Sequence, residues 1–298
     1  MKELIRRARR QLGQAQNGPW ARGLASSETR GPLEPSQGEG AQSWPATLQY
    51  GGETFTAAYN FLRRHPTGPL LARITPRRGD ANGITALCTV MWRLPRIRVR
   101  LTDSAAGERI SAHLAQREWR IIRTNRLAQG VLILPGTMEE YLSGRHSEAL
   151  RRNLRRAERE RVSSDLLPGP EQRYWALRRW LESCTKESER DLAWFEYWAA
   201  RREEPGRLWL GALDPSGDIV GFAVATVDVD VALLEVLVSA MYPALWRLNA
   251  AIAERLCQAG VRYLMTNSGS ALRVEPHVQQ LQRLLRYRIA HIVPMRGH

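Results

Sequence analysis

The sequence predicts an α/β protein whose mixed sheet is flanked by helices, and three features carry that expectation. Runs rich in β-branched residues alternate with segments of helical period from Val162 to Met295. Turn and stop signals separate them, among them Asp214-Pro215-Ser216-Gly217-Asp218 and Gly260. The chain is 298 residues long, 43% hydrophobic and 25% charged, which allows a sizeable core and is ordinary for a soluble protein.

Three segments are expected. Residues 1–45 form a basic segment and flexible linker: residues 1–16 are basic with helical potential, and Gly18 to Pro45 is dense in Gly, Pro, Ser and Gln. Residues 46–146 read as a small N-terminal α/β lobe. Tyr50-Gly51-Gly52-Glu53 has the composition of a hairpin turn between strands, and Leu70–Ile74, Ile84–Trp92 and Arg96–Leu101 read as strands. Ala105–Arg117, with Ile110 and Leu114 four apart, reads as a helix, and Gly130–Leu134 as a buried strand.

Residues 147–298 form the main domain. Ser147 is placed to cap an arginine-rich helix, 147–161, whose thin apolar stripe is Leu150, Leu154 and Ala157. Val162–Leu167 is a strand candidate. Glu171–Cys184 and Ser188–Arg202 have helical period, through Tyr174, Leu177 and Leu181 in one and Leu192, Phe195 and Trp198 in the other. Leu208–Leu213, Ile219–Val227 and Ala232–Ser239 are expected strands. Leu245, Leu248, Ile252 and Leu256 line a helix that Gly260 closes. Val261–Met265 is then a strand, Glu275–Leu285 a helix and Tyr287–Val293 a final strand.

Composition narrows the function. The formal net charge is +14, and every basic residue except Lys2 and Lys186 is arginine. An anionic partner explains that excess, and so does biased codon usage in a GC-rich genome; both readings stand. The charged N-terminus has no apolar stretch behind it, and no run is long enough to span a bilayer, so a cytoplasmic protein is expected. Cys88, Cys184 and Cys257 are dispersed and unpaired with histidine, so neither a disulfide framework nor a metal site is expected. Cys184 and Cys257 read as buried small hydrophobes.

The element order from residue 147 onward resembles that of a GNAT-type acyltransferase. Four local stretches resemble the FemAB-type and CelD-type branch of that superfamily. They are the basic run Arg151-Arg152-Asn153-Leu154-Arg155-Arg156, the turn Tyr242-Pro243-Ala244-Leu245, the junction Ala259-Gly260-Val261-Arg262-Tyr263-Leu264, and the ending Leu281-Gln282-Arg283-Leu284-Leu285-Arg286-Tyr287. The resemblance implies a splayed mixed sheet, preceded by a smaller, diverged GNAT-like lobe. It also implies transfer of an acyl or aminoacyl group from an activated donor onto an amine. The donor is then a co-substrate: acyl-CoA, an acyl-carrier protein or an aminoacyl-tRNA.

An amine must lose a proton before it attacks a carbonyl, so a carboxylate in the central strands is the expected base. Glu235 interrupts the apolar run Val231–Val238 and fits that role; a structural pair with one of the arginines is the competing explanation. Tyr242 is the candidate proton donor to the leaving group. Asn267, Ser268 and Ser270 follow the fifth strand of the domain and are candidates for the donor site, as are Arg151, Arg152, Arg155 and Arg156. Asp228 and Asp230 are expected in a solvated turn, and Trp194, Trp198 and Trp209 in the core or an acceptor cleft.

The stretch Ser239–Trp246 departs from the usual CoA-binding pattern. It lacks the glycines whose backbone N–H groups grip a pyrophosphate, and Pro243 removes one donor. That departure and the arginine helix fit an aminoacyl-tRNA donor as well as a thioester. A third reading, from a different class, is a non-catalytic GNAT-like module binding an anionic partner such as RNA.

Overall fold

The computed structural model describes residues 44–64, 80–116, 128–183 and 189–296. In chain order the elements are α1 (Glu53–Arg64), α2 (Asp80–Arg93), β1 (Arg96–Leu101), α3 (Ala105–Ala115), β2 (Gln129–Ile133), α4 (Met138–Leu142), α5 (Glu148–Arg159) and β3 (Ser163–Leu166). There follow α6 (Pro170–Glu182), α7 (Glu189–Ala200), β4 (Arg207–Leu213), β5 (Ile219–Asp228), β6 (Val231–Ser239), α8 (Tyr242–Gln258), β7 (Tyr263–Thr266), α9 (Pro276–Leu284) and β8 (Arg288–Arg296). The strands form one mixed sheet in the order β1-β8-β2-β7-β6-β5-β4-β3. The α/β class with a mixed, helix-flanked sheet is as expected.

Residues 46–146 contribute to that same sheet. β2 lies between β7 and β8, antiparallel to both, and β1 runs parallel along β8. The boundary expected after residue 146 therefore falls within one continuous sheet.

Apolar side chains on the two faces of the sheet meet different helices. On one face Leu210, Ala223, Ala232, Leu234, Leu264 and Ile289 pack with α8, α5, α1 and α2. On the other, Trp209, Phe222, Val224, Val236 and Val238 pack with α6 and α7, while Ile97, Val99, Val231, Leu233 and Met265 pack with α3. β5 and β6 are buried on both faces, which explains their near-continuous apolar sequences. β1 instead alternates, with Ile97, Val99 and Leu101 inward and the intervening arginines outward.

Two N-terminal expectations are corrected. Ile84–Trp92 is not a strand but part of α2, because Leu87, Val90 and Leu94 recur at helical spacing on the buried side. An unbroken apolar run does not distinguish the two states by itself. Tyr50-Gly51-Gly52-Glu53 is a turn, with Gly51 at φ +80, but it leads from a short 3-10 turn into α1 rather than joining two strands. A Cβ on Gly83 would stand 2.7 Å from the Phe61 Cβ, so glycine is what lets α2 lie close against α1. The strand expected at Leu70–Ile74 lies outside the described residues, as does Cys184.

Three further corrections concern polar groups. Asp228 and Asp230 are not solvated: they are 7% and 4% exposed. Asp228 accepts from the Thr102 backbone N–H at 2.8 Å and the Thr102 hydroxyl at 2.7 Å, and Asp230 accepts from the Arg100 N–H at 3.1 Å. The β5–β6 turn is thereby bolted to β1 and the start of α3. Ser147 does precede α5, but its hydroxyl caps nothing there; its single proton is shared between the carbonyls of Tyr141 and Ser143, at 2.9 and 2.7 Å. Cys257, expected to be buried, is half-exposed, and its thiol donates to the Pro135 carbonyl at 3.2 Å.

Candidate active site

β6 and β7 run parallel and pair only from Val231–Tyr263 to Leu234–Thr266. One more bond, from the Asn267 N–H to the Leu234 carbonyl at 3.1 Å, closes that ladder. β7 ends at Thr266 while β6 continues to Ser239, so among the described residues the paired stretch of the two strands stops just before Glu235. The register with β5 slips at the same place. Val224 pairs with Val236 and Ala225 with Leu234, which leaves Glu235 as the extra residue of a β-bulge.

The bulge decides where the carboxylate points. Before it, Val231 and Leu233 face the α3 side; after it, Val236 and Val238 face the α6–α7 side of the same surface. A strand without the extra residue would turn Val236 and Val238 to the opposite face. Glu235 is thus inserted into a buried face without disturbing the apolar pattern around it.

Its surroundings are ionic and largely buried. Arg207 Nε donates to Glu235 Oε1 at 2.9 Å and Nη2 to Oε2 at 3.2 Å, a bidentate pair whose side chains are 1% and 10% exposed. The Thr226 hydroxyl donates to Oε1 as well. Arg207 Nη1 also reaches Glu204 Oε2 at 2.6 Å, and Arg109 from α3 meets the same oxygen at 2.6 Å. The Arg207 guanidinium lies 5.0 Å from the Trp198 ring centroid. Burial, and next the charge of Arg207, pushes the Arg109 guanidinium below its ordinary range. An ionised carboxylate offers about four acceptor positions, and the described contacts occupy three of them.

The polar residues after β7 join a second network. Asn267 Nδ2 approaches the Glu235 carbonyl at 3.5 Å. Ser268 exchanges a hydrogen bond with the Thr266 hydroxyl at 3.0 Å and accepts from Gln282 Nε2 at 3.1 Å. The Tyr50 hydroxyl donates to Gln282 Oε1, and Gln129 Nε2 donates to the Thr266 carbonyl. Gln129 Oε1 lies 3.4 Å from His113 Nε2. Burial drives the His113 imidazole down to about 4, against smaller raising effects from Gln129, the Glu235 charge and Asn267. Ser270, by contrast, accepts from the Leu272 N–H at 3.4 Å and caps a short 3-10 turn.

The other sequence candidates lie elsewhere. Tyr242 is the first residue of α8, half-buried with its ring edge on Trp246 at 5.8 Å. Four strand residues, roughly 13 Å at the usual rise, separate Glu235 from the end of β6. Arg151, Arg152, Arg155 and Arg156 lie on α5, which packs by Leu150, Leu154 and Ala157 into the core opposite the Glu235 side chain. Arg151 donates to the carbonyls of Leu142 and Gly144, and Arg156 pairs with Glu160 at 2.8 Å. Arg152 and Arg155 are exposed.

No family model and no curated protein matches the chain. Among solved structures it is similar to a conserved protein of unknown function from Bacteroides thetaiotaomicron, at 14% identity and a TM-score of 0.44. That match covers 54% of this chain and 57% of the other. It is also similar to L-PGS from Bacillus licheniformis, at 12% identity and a TM-score of 0.38 over 54% and 57% of the two chains. A third is the C-terminal domain assigned to a lysylphosphatidylglycerol synthetase from Agrobacterium fabrum, at 12% identity and a TM-score of 0.36 over 54% and 58%. The chain thus spans little more than half the length of each.

Sequence reasoning missed Arg207, Glu204, Arg109 and His113. Arg109 and His113 belong to α3, more than 90 residues before Arg207 in the sequence, and only the shared sheet brings them to Glu235. An (i, i+3) spacing links Glu204 to Arg207, a signal that exists in the sequence but is common among charged residues.

Proposed function

We propose that this chain transfers an acyl or aminoacyl group from an activated donor to an amine, with the donor's carbonyl held in the gap between β6 and β7. The observation that supports this reading is the end of the parallel β6–β7 ladder beside a bulge that carries a buried carboxylate. Beyond the end of that ladder, backbone groups of β6 that no described strand pairs can orient a carbonyl and stabilise the charge that develops on it.

In this reading Glu235 takes the proton that the attacking ammonium must shed, using the acceptor position left on Oε2. Arg207 and Thr226 fix its orientation. The new C–N bond forms as the bond to the leaving thiolate or ribose oxygen breaks, and the proton passes on to that leaving group. Tyr242, at the start of α8, stays the candidate proton donor to the leaving group. Asn267 positions the bulge through the Glu235 carbonyl, and Ser268 supports the turn that follows β7.

The donor is an acyl thioester, on CoA or a carrier protein, or an aminoacyl-tRNA; Ser270, Arg151, Arg152, Arg155 and Arg156 stay candidates for its contacts. Labelled acyl-CoA and charged tRNA, each incubated with the full chain and a panel of amines, discriminate the two. Label reaching an amine from tRNA, and abolished by RNase, identifies the aminoacyl donor; label from CoA that survives RNase identifies the thioester. Failure of both donors removes the enzymatic reading.

One observation favours a second reading. Bidentate pairing with Arg207 is also what a purely structural carboxylate needs, and it suits a non-catalytic module that binds an anion through α5. In that case Glu235→Gln leaves anion binding intact and there is no turnover to lose.

A further inference from the structure

A cavity of about 550 Å³ opens between the first described residues and the start of β8, lined by Trp44, Tyr50, Arg283, Arg286, Tyr287 and Arg288 among others. Tyr50, Leu284 and Tyr287 belong to the core on the α8 side of the sheet, whereas the Glu235 side chain faces the other way. The cavity is therefore distinct from the gap between β6 and β7.

Its chemistry is uneven in a way that names a ligand. Three guanidinium groups line it, and no carboxylate is among its described lining residues. Arg286 is fixed: at φ +68 it donates from Nη1 to the Tyr141 carbonyl and to the Ser147 hydroxyl at 3.1 Å, and it lies 5.5 Å from the Tyr141 ring centroid. Arg288 lies 5.2 Å from the Trp44 ring centroid. Partial burial of its stem, and next the charge of Arg286, lowers the Arg288 guanidinium from its ordinary range although its side chain reaches solvent. Arg283 Nη1 stands where a Cβ on Gly51 would come within 3.2 Å, so it lies over the turn that begins α1.

The aromatic walls turn their polar ends away. The Tyr50 hydroxyl is spent on Gln282 and that of Tyr287 donates to Asn249 Oδ1 at 3.3 Å, so the small part of each ring left uncovered, with Tyr50 5% and Tyr287 4% exposed, meets the cavity as carbon. Clustered arginines with forked donors match phosphate oxygens, and aromatic carbon matches a flat ring. The volume falls within the range of small-ligand sites. We propose that this cavity is a mononucleotide site, with the phosphates on Arg283, Arg286 and Arg288 and the base against Trp44 and Tyr287.

Calorimetric titration of the full chain with ADP, and separately with inorganic pyrophosphate, tests this. Arg283 and Arg288 are exposed, so Arg283→Gln and Arg288→Gln should fold normally. Each is expected to weaken ADP binding ~10-fold or more, as loss of a charge-assisted contact does. Pyrophosphate alone should bind at least ~10-fold more weakly than ADP, and Trp44→Leu should erase that difference. Glu235→Gln, on the other face, should leave ADP affinity unchanged. ADP affinity that neither arginine substitution moves, pyrophosphate binding as tight as ADP, or no ADP binding at millimolar concentration would each overturn the assignment.

Discussion

Arg207 has its guanidinium split between two carboxylates, Glu235 and Glu204, and its side chain is 1% exposed. Arg207→Met leaves Glu235 as a buried charge without its cation, which should cost about 3–5 kcal/mol of unfolding free energy. Urea denaturation at pH 7 measures it, and a loss under about 1 kcal/mol would show that water reaches the pair. His113 makes the opposite kind of statement. Its folded value of about 4 lies below the ordinary histidine range, so the unfolded chain binds the extra proton first as pH falls. Its contribution is therefore complete above about pH 6.5 and is lost as pH drops through about 4, a total of roughly 3 kcal/mol. Unfolding midpoints measured from pH 7 to 4.5 should fall for the wild type and fall less for His113→Gln.

At the scale of elements, the β5–β6 hairpin and α5 show how polar residues divide between holding the fold and facing solvent. Asp228→Ala removes the acceptor for the Thr102 N–H and hydroxyl, and should cost about 2–3 kcal/mol by thermal or urea melting. On α5, Arg151 serves the carbonyls at the end of α4, so Arg151→Gln should lower the Tm. Replacing exposed Arg152 and Arg155 by Gln should leave Tm unchanged and flatten the salt dependence of any nucleic-acid binding. An unaltered salt slope would remove α5 from nucleic-acid contact.

Much of this scale was legible in the sequence. The helical stripes of α6, α7 and α8, the turn 214–218 and the β-branched β5 and β6 announce themselves by period and punctuation. Glu235 was visible because it breaks an apolar run. The bulge beneath it was not, since the sequence carries no glycine or proline there and the extra residue shows only as a change of register against β5. α2 was misread because its alanine, leucine and valine run suits either state, and tertiary packing on α1 decides between them. The burial of Asp228 and Asp230 depends on β1, a strand 130 residues away from Asp230 through Arg100, and no local pattern reports such a distant partner.

For the molecule as a whole, the strand contributed from residues 129–133 matters most. β2 fills the space between β7 and β8, and without it both would lose an antiparallel neighbour. Residues 147–298 expressed alone should therefore lack cooperative unfolding and be cut rapidly by protease, whereas residues 44–298 should melt in one transition. Among the described residues no helix is long and apolar enough to cross a membrane. The same sheet brings Arg109 of α3 and Trp198 of α7 to the ion pairs around Arg207 and Glu235, so the chemistry proposed there draws on both halves of the chain. Single-turnover transfer from donor to amine, compared between the wild type and Glu235→Gln with melting followed in parallel, tests that chemistry most directly. The account predicts acyl product from the wild type and a rate reduced ~100-fold or more in a variant that still folds. A folded Glu235→Gln protein that transfers as fast as the wild type, or a wild type that forms no product from either donor, would contradict it.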